Sequence, residues 1–104
     1  MAGKKLTVVA IVKAKPDKVD IVRKELDHLV VETNKESGCI NYNYHVNKED
    51  KTLFLFYENW RSREDWDKHM QMPFLKRWFD EVSGDVLEKE PELSLWEMVE
   101  PPAK

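Results

Sequence analysis

Of the three histidines in this sequence, His69 is the one that falls in the tryptophan-rich stretch. It follows Trp66 by three positions inside residues 53–79, LFLFYENWRSREDWDKHMQMPFLKRWF. On a helix that spacing puts both side chains on one face. A neutral imidazole, with an ordinary pKa near 6.5, can take a proton from a weakly acidic group of a bound substrate, and a positioned base contributes about a hundredfold or more. Glu58 is the other titratable group close by and the rival base. Three of the four tryptophans fall in these 27 residues, so Tyr57, Trp60, Trp66, Phe74 and Trp78 are candidate walls of a flat aromatic pocket, although such rings also fill the core of any small domain. Asn43 lies with Asn41 and His45 on the polar side of an alternating run. Facing a cavity, its amide would stabilise an oxyanion on a bound molecule; facing solvent, it is surface. The competing role for His69 is a buried bridge to a backbone carbonyl or to Glu58.

Other chemistries lack their residues. No GxGxxG, P-loop, CxxC, HExxH or GxSxG is present, so neither a cofactor nor a metal is expected. The single cysteine, Cys39, reads as packing. A net charge of -3, with lysines scattered among acids, gives no reason to expect nucleic acid. No apolar run approaches the ~20 residues that span a bilayer, and Lys13 and Lys15 interrupt any signal-peptide core, so the expected compartment is the cytoplasm, with no membrane partner.

A chain of 104 residues holds one domain, with an ordered core expected over about 5–99 and a tail over 100–104. Leu6, Val8, Ala10 and Val12 alternate with Thr7, Val9 and Ile11 in a first strand that is apolar on both sides. Pro16 opens a helix with the stripe Val19, Val22, Leu26, Leu29, Val30 and Thr33, and Gly38 is placed as its C-terminal stop. Ile40, Tyr42, Tyr44 and Val46 then face one way along a second strand. Residues 47–51 form a turn into a third strand from Leu53, with Leu53, Leu55 and Tyr57 set against Phe54 and Phe56. Ser62, with Asp65 three residues on, caps a short helix that Glu64 and Lys68 would brace and that ends near Gln71. Pro73 starts another, with the stripe Phe74, Leu75, Trp78, Phe79 and Val82, stopping at Ser83 and Gly84. Leu93, Leu95, Trp96 and Met98 make a last strand. This is an α+β, ferredoxin-like βαββαβ order with an antiparallel sheet. One helical layer cannot cover both faces of such strands, leaving Val9, Ile11, Phe56 and Trp96 or their register partners in water; a homodimer packed sheet to sheet is the expected remedy.

The Tyr57–Glu58–Trp60 element, His69, the helix after Pro73 and the block GCINYNYHVNKEDKTLFLFYENW together resemble the antibiotic biosynthesis monooxygenase family, over nearly all of residues 5–99. The resemblance implies a dimeric α/β barrel. Family members include cofactor-independent oxygenases of quinols and polycyclic phenols, haem-degrading enzymes and an isomerase of a phosphorylated signalling sugar, so fold is implied more firmly than substrate. The haem-degrading pattern is not matched: LTVVAIVK lacks its asparagine, His69 stands near where its tryptophan would fall, and Phe79 near its axial histidine. The expected function is a monooxygenase acting on a quinol or phenolic substrate, with His69, Asn43 and Glu58 as catalytic candidates. The alternative is a non-catalytic dimer that binds a small metabolite or serves stress response, or an isomerase or degrader of a small signalling carbonyl compound.

Overall fold

Two runs of β-branched and aromatic residues form the middle of the sheet in the computed structural model, which describes residues 4–102. Strands β1 (Leu6–Lys13) and β3 (Leu53–Trp60) pair antiparallel, β2 (Cys39–Val46) flanks β3, and β4 (Glu92–Trp96) flanks β1, giving the order β2-β3-β1-β4. This is the expected ferredoxin-like topology. Between β1 and β2 run a single 3-10 turn (Pro16–Lys18) and helix α1 (Val19–Thr33); β3 and β4 are joined by α2 (Arg63–Met70), α3 (Pro73–Arg77), a π-helical turn (Trp78–Val82) and α4 (Ser83–Val86).

All helices cover one face. Val8, Ala10 and Val12 of β1 and Phe54, Phe56 and Trp60 of β3 are buried there with Val22, Leu26 and Leu29 of α1 and Leu75 of α3. Phe56 therefore belongs to the core, not to the open face, because the two-residue period sets it beside Phe54. The opposite face leaves Leu55, Tyr57 and Trp96 exposed beside half-buried Val9 and Ile11. Across it runs a polar chain: Thr7 Oγ1 donates to Asn59 Oδ1 (2.6 Å), and Asn59 Nδ2 to Asn41 Oδ1 (2.9 Å).

Several boundaries differ from the sequence pattern. A bulge between Cys39 and Asn41 turns Ile40 out of line with Tyr42 and leaves it exposed. The last strand ends at Trp96, so Met98 and Val99 lie beyond the sheet and are exposed. The segment after Pro73 widens into the π turn at Trp78 and continues through Ser83 and Gly84 to Val86, since a single glycine weakens a helix without ending it. Glu64 and Lys68 do not pair; Arg63 and Asp67 do, at 3.1 Å. Helix α1 closes on Asn34, five residues short of Cys39. Gly38 has no left-handed φ, and its need is space: a Cβ there would lie 2.3 Å from Asp65 Cγ. Arg61 N donates to Gly38 O (2.9 Å), clamping the α1–β2 loop against the start of α2. The last two residues of the expected tail, 103–104, lie outside the described residues.

Candidate active site

Glu58 is the third residue on the helix-covered side of β3, after Phe54 and Phe56, so strand alternation alone drives a carboxyl into the core. It is 4% exposed, and its Oε1 accepts a hydrogen bond from Trp60 Nε1 (3.0 Å). Tyr42 is its register partner on β2 and is equally buried. Helix α2 supplies the other group. Ser62 caps it by accepting from Asp65 N (3.2 Å), as the sequence predicts, and His69 is its one buried residue. The return turn is tied by Met72 N donating to His69 O (3.0 Å). The imidazole lies 4.6 Å from the Trp60 ring, 5.4 Å from Tyr42 and 6.2 Å from Phe74. Its Nδ1 is 2.8 Å from Oε2 of Glu36, brought there by the loop that Gly38 allows to pack so closely. Nε2 has no partner among the described residues.

Glu58 and His69 share the wall of one narrow cleft between sheet and helices, with Phe56, Trp66, Trp78 and Leu93 around them. The open volume is about 30 Å³, room for a water molecule or two. The π turn forms part of the wall through Trp78 and Phe79, a placement common for such turns at functional sites.

Burial disfavours charge on every titratable group here. It pushes Glu58 up to about 7, against the Trp60 hydrogen bond and with help from nearby Glu36. It pushes Glu36 up to about 7 and His69 down to about 4. Between about pH 4 and pH 7 Glu36 is therefore protonated beside a neutral His69, and the pair gains a negative charge as pH rises through about 7. Cys39 is raised to about 11, by burial first and then by Glu36 and Glu58; Tyr42 is driven well above its ordinary value by burial and by Glu58. Among the described residues no cluster of His, Cys, Asp and Glu is arranged to hold a metal.

Of the candidates, His69, Glu58, Trp66 and Trp78 meet at the cleft. Phe74 packs edge-on against His69, and Trp60 is fully buried behind it, so Trp60 orients Glu58 without reaching the opening. Asn43 and Tyr57 are not brought there. They are register partners on the open face of the sheet, because their positions have the opposite parity to Tyr42 and Glu58. His69 is bridged to Glu36, not to Glu58 or a backbone carbonyl. With its proton affinity lowered by burial, it is a weaker lone base than its ordinary pKa suggests, whereas burial raises the proton affinity of Glu58. Glu36 and Tyr42 were missed. Counting back through the hairpin from Val46 opposite Phe54 places Tyr42 opposite Glu58; nothing in the spacing of Glu36 marks it.

A family model described as antibiotic biosynthesis monooxygenase matches residues 5–81. The chain belongs to this antibiotic biosynthesis monooxygenase family. An uncharacterized protein of Synechocystis is 32% identical over 95 residues, 91% of this chain, which spans 64% of that relative's length. A crystal structure described as an antibiotic biosynthesis monooxygenase superposes with a TM-score of 0.85 at 27% identity, covering 91% of this chain and 99% of that one. A conserved protein of Methanosarcina mazei gives 0.84 at 29%, covering 90% and 92%. A Pseudomonas aeruginosa protein gives 0.88 at 24%, covering 96% and 99%, and supports the fold alone. No helix among the described residues is long and apolar enough to cross a membrane.

Proposed function

We propose that this member of the family is a cofactor-independent monooxygenase of a quinol or phenolic substrate, with Glu58 as the proton acceptor and His69 beside it. The observation that carries this reading is a carboxyl whose proton affinity is set near neutrality, in the wall of an aromatic-lined cleft. General bases work best with a pKa near the operating pH. Glu58 removes a proton from a ring CH2 of the substrate's keto tautomer. The resulting anion gives electrons to dioxygen, and the carbon ends as a carbonyl: four electrons leave the substrate, one oxygen atom joins carbon, and the other departs as water. No external reductant is needed. Trp66 and Trp78 stack the ring, and the cleft must widen to admit it, since a two-ring substrate needs a pocket of about 300 Å³ or more. The functional unit on this reading is a homodimer joined through the open sheet face, whose exposed Leu55, Tyr57 and Trp96 are otherwise left in water.

The test is 1,4-naphthoquinol under 18O-labelled dioxygen. The expected product is 2-hydroxy-1,4-naphthoquinone carrying one labelled oxygen, formed about a hundredfold more slowly by Glu58→Gln. Turnover no faster than the uncatalysed oxidation, across two-ring quinols and flavonoids, overturns the reading. The filling of the cleft by Phe56, Trp66 and Trp78 favours one other function, a non-catalytic dimer that binds a small metabolite. A thermal shift with such a ligand and no turnover would support that instead.

A further inference from the structure

His69 has its two ring nitrogens in different surroundings. Nδ1 is 2.8 Å from Glu36 Oε2, while Nε2 has no partner among the described residues and the ring lines the cleft. Glu36 in turn is 13% exposed, so its carboxyl reaches the edge of the core. Glu58, on β3, lines the same cleft from the sheet side. We propose that Glu36 holds a proton for the reaction and delivers it through the His69 ring to the oxygen atom that leaves as water, acting as a positioning residue for His69 as general acid.

This rests on the monooxygenase reading, whose second half needs an acid and a base together. Once dioxygen has joined the substrate anion and Glu58 has returned its proton, a carbon hydroperoxide remains. Glu58 removes the second proton from that carbon, the C–H electron pair becomes the carbonyl bond, and the O–O bond breaks. The departing hydroxide takes the Nε2 proton of His69 and becomes water, while Glu36 passes its own proton to Nδ1. Glu58 now carries a proton and Glu36 is ionised; return of that proton to Nε2, with the Nδ1 proton passing back to Glu36, restores the start. A neutral ring can do this without ever becoming an imidazolium, the form that burial opposes. The other groups facing His69 do not compete: Tyr42 and Cys39 of β2 hold their protons above the neutral range, and α3 presents Phe74.

Two measurements test it. In the wild-type protein without substrate, the 15N shifts of His69 from about pH 5 to pH 9 should show the ring proton moving from Nε2 to Nδ1 as Glu36 ionises; one unchanged tautomer across that range overturns the proposal. With 1,4-naphthoquinol, Glu36→Gln should still consume dioxygen but divert it: without the acid, the hydroperoxide is expelled by the enol hydroxyl, giving 1,4-naphthoquinone and hydrogen peroxide. Hydroxyquinone formation should fall by about a hundredfold. An unchanged ratio of hydroxyquinone to dioxygen consumed, with an unchanged pH profile, overturns it. Should Glu36→Gln not fold, the wild-type tautomer measurement decides. A wild type that shows the tautomer switch but makes no labelled hydroxyquinone sinks the quinol reading and leaves the proton-holding pair standing.

Discussion

Glu58→Gln separates the electrostatics of the site from its chemistry. Glu58 is 4% exposed and among the described residues meets a single donor, Trp60 Nε1, so its charged form is stripped of water with little in return. Its pKa rises from 4.5 to about 7. The folded state thus holds the proton more tightly than the unfolded chain. The stability this contributes is fully present below about pH 4.5 and is lost as pH rises through about 7. The gap of about 2.5, at 1.36 kcal/mol for each pH unit, amounts to about 3 kcal/mol. Glutamine keeps the shape and the acceptor for Trp60 and never ionises. The two proteins should therefore have similar stability near pH 4, and the variant should be more stable by about 3 kcal/mol above pH 8. Urea unfolding at one protein concentration reads this as a midpoint shift of roughly 1 M or more at the higher pH. That difference already includes the repulsion between Glu36 and Glu58. Equal stability at both pH values, or a wild type more stable at pH 8, refutes the account of Glu58 as a desolvated carboxyl.

Gly38→Ala puts a methyl group into Asp65; it should cost about 1–3 kcal/mol by overpacking, read by denaturation, and should lower quinol turnover by pulling Glu36 away from His69. On the proposed dimer, Trp96→Asp should shift light scattering from about twice 12.4 kDa to 12.4 kDa, and an unchanged dimer would show Trp96 to be peripheral. His69→Gln should lower quinol turnover at pH 7 while leaving folding nearly intact; a melting temperature lower by several degrees with turnover of the folded fraction unchanged would mark a structural bridge instead.

What could be read in advance here is what local rules control. Alternation along β1 and β3, the Ser62 cap and the break before Pro73 each arise from a few neighbouring residues, and the structure keeps them. That His69 and Glu58 are titratable groups set beside the aromatic cluster was legible for the same reason: one lies a helical turn from Trp66, the other ends an apolar run. Parity would also have excluded Asn43 and Tyr57 from their company, since both sit one residue away from positions that face the helices. Glu36 is different in kind. Three residues beyond α1, it gains its role only because the loop folds back on α2, and that approach depends on the missing side chain of Gly38 and the hydrogen bond from Arg61. A contact made by tertiary packing leaves no period in the sequence. The proton affinities follow the same logic: a histidine near 6.5 by composition falls to about 4, and carboxyls near 4.5 rise to about 7, because burial and not residue type sets the cost of charge. That reversal is why the proposed reaction gives the acceptor role to Glu58 and leaves His69 to carry a proton onward.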